Sequence, residues 1–214
     1  MEFIIALPIL FFSVVFHEYA HGYTAFKYGD DTAYLMGRLS FNPIVHIDPV
    51  GTVLVPLLCL AFGFYPFGWA KPVPVNYYRL RSPRVDMGKV AFAGPASNIF
   101  LAIICALGLK TVSIIPGAPL IIGKVLLFAI AINLILAIFN LIPVPPLDGS
   151  KILAAFLPQN LADSYMRYER FGMIFVILLL FSGGFRWIVS PVFNLAFSFL
   201  LYIIGVPYGQ YGRF

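Results

Sequence analysis

The sequence predicts an all-α polytopic membrane protein with about five to six transmembrane helices, a re-entrant segment and a short interfacial β-like loop. Three observations carry that prediction. Of 214 residues, 61% are hydrophobic and only 11% charged, against roughly 45–50% and about 25% in soluble domains. Mean hydropathy is +0.92. The apolar residues also fall into long runs separated by breaks rich in Pro, Gly and basic side chains. A soluble fold would have too few ionisable groups to cover its surface, and the abundance of Phe, Ile, Leu and Val excludes disorder. The chain is expected to form a single domain, residues 1–214, with a core at about 3–157 and an extra transmembrane hairpin at about 171–205.

Phe3 to about Phe26 forms the first span, with Met1-Glu2 ahead of it and no basic region of the kind that opens a cleavable signal. Gly29 to Pro49 is polar and turn-rich, and its short β-like pieces are expected at the membrane interface. Val50–Phe64 is apolar but short and contains Pro56 and Gly63, which suits a segment that turns back. A basic loop, Trp69–Arg84, follows. Gly88–Leu109 and Ile121–Ile142 are clear spans, and Pro143, Pro145 and Pro146 break the second of them. A short helix near Lys151–Leu157 comes next, then two apolar runs, Phe171–Phe181 and Ile188–Ile204. Cys59 and Cys105 stand in apolar surroundings and read as small core side chains. The net charge of +5 reflects membrane orientation rather than nucleic-acid binding.

In so apolar a chain, each charge inside a run needs a reason. His17-Glu18-Tyr19-Ala20-His21 is an H-E-x-x-H on the first span. Residues i and i+4 share a helix face, so both imidazoles can bind one metal ion, and Glu18 is placed to take a proton from water activated there. The competing reading is a chance match near a helix end. Three titratable groups in five residues weigh against it, since one Asp, Lys or Arg at mid-span costs roughly 2.5–3.5 kcal/mol. A zinc site needs a third protein ligand. His46 is the only other His. Asp148 is the one further acid at the end of a long apolar span, where the alternative is an N-cap of the next helix. Asn98, in Gly94-Pro95-Ala96-Ser97-Asn98, and Asn140 are candidates to assist at a bound carbonyl, against a helix-packing role.

His17-Glu18-x-x-His21, Gly94-Pro95-x-x-Asn98 and Asn140-x-x-Pro143-x-Pro145-x-x-Asp148-Gly149, in that order, resemble the site-2 protease family of intramembrane zinc metalloproteases. The stretches around Gly37–Gly51 and Gly68–Asn76 are similar to a compact prokaryotic branch of it, one without a PDZ or CBS domain. The likeness covers roughly residues 10–150. It implies that His17, His21 and Asp148 bind one Zn2+ per chain, that Glu18 is the catalytic base, and that Asn140 and Asn98 act as oxyanion or substrate-positioning groups. It also implies an endopeptidase cleaving transmembrane protein or peptide substrates within or near the bilayer. The alternative is a metal-ion transporter, or a metal-binding membrane protein without peptidase activity.

Ligands of one metal must meet at one depth, so the spans carrying His17 and Asp148 should run parallel. That holds if Val50–Phe64 is re-entrant and fails if it crosses. With re-entry and the N-terminus outside, only Lys110, Lys124 and Arg186 of the 14 basic residues face outward, which the positive-inside rule favours. The expected location is the cell membrane, multi-pass, with the active site toward the cytoplasmic side.

Overall fold

A computed structural model describes residues 2–62 and 68–206, and among them every regular element is a helix, with no strand. The long helices are α1 (Glu2–Lys27), α4 (Pro83–Ser113), α5 (Leu120–Asn140) and α9 (Gly184–Ile204). Shorter ones are α2 (Thr32–Leu35), α3 (Val55–Ala61), α6 (Asp148–Phe156), α7 (Gln159–Met166) and α8 (Glu169–Phe181).

The β-like loop expected between Gly29 and Pro49 is not formed. Its residues instead make α2 and a 3-10 turn, Pro43–His46, followed by a π turn at Pro49–Leu54. The reason is capping chemistry. Asn42 accepts the N–H of Ile44, Asp48 accepts those of Val50 and Gly51, and a proline follows each cap. An Asx cap with Pro at the first helical position starts a helical turn and stops a strand.

Helix α4 is the centre of the bundle. Its Ala102, Ala106 and Leu109 pack against Leu127, Ile130 and Leu134 of α5 and against Phe197, Leu201 and Ile204 of α9, forming the apolar core. Its other half meets α1, where His17 reaches Asn98 and His21 reaches Val90, so α1 and α4 run antiparallel. Asn133 of α5 contacts Ser13 of α1, and Asn140 shares a cavity with His17 and Glu18. The chain therefore carries α1 and α5 parallel, as a shared ligand depth requires. The Arg81 N–H donates to the Tyr28 carbonyl at 3.0 Å. Thus α4 begins at the end of the bundle where α1 finishes.

Among the described residues, three helices are long and apolar enough to cross a membrane: Pro83–Ser113, Leu120–Asn140 and Arg186–Ile204. This is fewer than the five to six expected. Helix α8 has 13 residues, about 20 Å at 1.5 Å per residue, short of a roughly 30 Å hydrocarbon core. Residues 63 and 64 of the expected re-entrant stretch, and Arg213 of the basic set, lie outside the described residues. Outward-facing Phe100, Leu107, Trp187, Leu195 and Phe199 give the bundle an apolar exterior, the surface of a membrane protein rather than of a domain in water.

Candidate metal centre

Helix α1 sets His17 and His21 one turn apart, with ring centroids 4.6 Å apart and their planes nearly perpendicular. Their Nε2 atoms are 3.0 Å from each other. Asp148 comes from a different part of the chain. Helix α5 stops at Asn140, the proline-rich turn 141–147 loops back against the end of α5, and α6 starts at Asp148. A Cβ on Gly149 would collide with the carbonyls of Leu141 and Ile142, so only glycine lets this turn close so tightly. Leu147 occupies the N-cap of α6 and Asp148 makes no cap bond. Its Oδ2 lies 3.1 Å from both His17 Nε2 and His21 Nε2. The capping role weighed for Asp148 is therefore not the one its carboxylate takes.

The donor set fits a zinc ion. The Val90 carbonyl can only accept, so His21 donates to it from Nδ1, at 2.7 Å. His17 Nδ1 lies 2.6 Å from Asn98 Oδ1 and donates there. In the neutral rings both Nε2 atoms therefore carry lone pairs, aimed at each other and at a carboxylate across 3.0–3.1 Å. Three acceptors this close repel unless a cation lies among them. Tetrahedral ligands about 2.0–2.1 Å from one zinc stand roughly 3.3 Å apart, within a few tenths of this triangle. Gly94 of α4 lies directly behind. A Cβ there would clash with Nε2 of both histidines, so glycine leaves the space between the donors open.

The three donors open onto a cavity of about 310 Å³, which Glu18, Asn140 and Lys151 also line, together with Pro72, Val73, Val75 and Tyr77. Glu18 Oε2 accepts the Val73 N–H at 2.7 Å. The stretch 68–76 is neither helix nor strand, and it is strapped from outside. Arg38 donates to the carbonyls of Lys71 and Pro72, and the Lys71 N–H donates to the His46 carbonyl. His46 itself is fully buried, with Nε2 against the Ser40 carbonyl. It is part of this strap and not a ligand. Burial works against the charge on Lys151, but Tyr77 and then Asp148 outweigh it and hold the ammonium above the usual lysine range.

The two asparagines differ in placement. Asn140 lines the cavity, its Nδ2 donating to the Leu136 carbonyl at 3.0 Å. Asn98 stands behind His17, away from the cavity, with its amide nitrogen on the Ser13 carbonyl and on Asn133 Oδ1. Asn133 was not singled out from the sequence. The available signal was a carboxamide in the interior of a 21-residue apolar helix, the kind of buried group that marks an interhelical contact.

The family model described as Peptidase family M50 matches residues 111–183, which contain Asn140 and Asp148 but not the histidines. The chain is 36% identical over 193 residues to "Putative zinc metalloprotease YwhC" of Bacillus subtilis (strain 168), covering 86% of this chain and 84% of that one. A relative with the same description from Methanocaldococcus jannaschii, MJ0611, is 34% identical over 154 residues, 72% and 71% of the two chains. Rip2 of Mycolicibacterium smegmatis, described likewise, is 28% identical over 193 residues, 89% of this chain and 72% of its own. No solved structure matches.

Proposed function

The chain belongs to peptidase family M50, the site-2 protease family, and is a zinc metalloendopeptidase; we propose that it hydrolyses membrane-protein substrates within or beside their transmembrane segments. The observation that carries this reading is the convergence of His17 Nε2, His21 Nε2 and Asp148 Oδ2 on one point, with Glu18 facing the same cavity.

His17, His21 and Asp148 are the residues that would hold the zinc. Bound there, zinc polarises a carbonyl oxygen and lowers the pKa of water. Glu18, one residue from the first ligand, takes the proton released by the attacking water and passes it to the leaving amine nitrogen. Its bond from Val73 orients the carboxylate and leaves the other oxygen for that work. Asn140 spends one amide proton on Leu136 and keeps a second to offer the substrate carbonyl oxygen. Pro72 and Pro74 have no N–H, so an extended substrate segment beside this stretch pairs with its carbonyl groups and with Val75. A helical substrate must unwind first, because its own hydrogen bonds shield the scissile amide.

Helix α1, at 26 residues, is about 39 Å long and crosses the bilayer despite its polar cluster. His17 lies about 15 Å from its Lys27 end. The apolar stretch Pro49–Ala61 dips in and returns without crossing, and the α8–α9 hairpin completes the spans. Lys27, Arg79, Arg81 and Arg84 gather at the end shared by α1 and α4. That end is cytoplasmic by the positive-inside rule, and the site opens toward it.

The test is incubation of the purified chain, in liposomes, with a tagged single-span substrate. Cleavage that stops with a chelator and returns with zinc supports the reading. Metal flux into the liposomes without any cleavage would instead make it a transporter.

A further inference from the structure

Behind His17, buried polar groups form a directed chain through three helices. Ala129 O is a backbone carbonyl and can only accept, so the Asn133 group 2.9 Å from it is its Nδ2, which also donates to Ser13 Oγ at 2.9 Å. That turns Asn133 Oδ1 toward α4, where Asn98 Nδ2 donates to it at 2.9 Å. The same Asn98 nitrogen donates to the Ser13 carbonyl at 3.2 Å, another group that only accepts. Asn98 Oδ1 is thereby aimed at His17, 2.6 Å from Nδ1. An oxygen in that place requires a proton on Nδ1, which leaves Nε2 bare. Asn98, Asn133 and Ser13 are all at most 2% exposed. His21 needs no such chain, because the Val90 carbonyl fixes its ring directly.

We infer that Asn133, two hydrogen bonds from His17 and outside the cavity, is a positioning residue that fixes the tautomer and orientation of this imidazole through Asn98, with Ser13 as the brace. The inference rests on His17 being a metal ligand. It assigns to α5 a second role besides delivering Asp148: the same helix sets the ring of an opposing ligand. Partners that orient a ligating His are worth 10–100-fold in metal affinity. Apolar packing alone has no such effect, and that difference is measurable.

The experiment is zinc affinity by competition with a chromogenic chelator, on detergent-purified wild type, Asn133→Leu, Asn98→Leu and the double variant, with helical content measured alongside. The expected result is an affinity about 10-fold or more weaker in Asn133→Leu at unchanged helical content. The double variant should be no worse than Asn98→Leu, because both substitutions cut one chain. Wild-type affinity in a folded Asn133→Leu overturns the inference and leaves the metal site standing. A wild type that takes up no zinc overturns the metal site itself, and the inference with it. Should the variants fail to fold, nitrogen-15 spectra of selectively labelled histidine in the zinc-free wild type still decide. A proton on Nδ1 of His17 supports the inference, and a proton on its Nε2 ends it.

Discussion

Glu18 is the residue where fold and chemistry can be separated by one atom. In Glu18→Gln the side-chain oxygen still accepts the Val73 N–H, so folding and zinc uptake should persist. The lost carboxylate removes the proton acceptor, and turnover should fall at least ~100-fold, the lower end for a general base. Zinc content and cleavage measured on one sample check both halves. Gly94→Ala makes the converse prediction. No ligand is changed, yet its methyl group would occupy the space of the histidine Nε2 atoms, so zinc content by mass spectrometry should drop to near that of His17→Ala. The His17 and His21 pair was legible in the sequence because helical spacing is local, and Asp148 because a carboxylate ending an apolar run stands out. Asn133 and the Val90 carbonyl were not, since their roles exist only once α1, α4 and α5 have met. Asn98 was picked out for its chemistry, but the side of His17 on which it falls depends on how α4 packs.

At the scale of elements, the segment between α1 and α4 works as a strap across the cavity. Arg38, itself buried, holds the carbonyls of Lys71 and Pro72, and that stretch in turn meets Glu18 through Val73. Hydrogen bonds from a charged donor are worth about 1.5–3 kcal/mol. Arg38→Ala should therefore loosen the stretch, raising KM or lowering kcat about tenfold while zinc content stays at one per chain. Steady-state kinetics with metal analysis distinguish this from damage to the metal site. The same segment is where reading the chain fell short. Gly29 to Pro49 read as turns with short β-like pieces, yet Asn42-Pro43 and Asp48-Pro49 are each a cap and a first helical residue, and the loop forms helical turns instead of strands. The spans fared better. The long apolar runs became α4, α5 and α9, because hydrophobic burial in lipid needs only length and composition.

For the whole molecule, the decisive relation is that α1 and α5 run parallel, both packed against an antiparallel α4, which brings two distant motifs to one depth. It was legible in outline, because ligands of one metal cannot lie at different depths. The arrangement requires residues 29–82 to start and finish on one membrane face. Tyr78, 96% exposed in that segment, offers a direct check. In Tyr78→Cys, a membrane-impermeant maleimide should label only inverted vesicles, and labelling of intact cells would reverse the orientation. The central claim, one hydrolytic zinc held by His17, His21 and Asp148, is tested most directly by X-ray absorption at the zinc edge on the purified chain. The account predicts one zinc per chain with two imidazole nitrogens and a carboxylate oxygen among its ligands, lost in Asp148→Ala. A sulfur shell from Cys59 or Cys105, or an unchanged spectrum in Asp148→Ala, would contradict it.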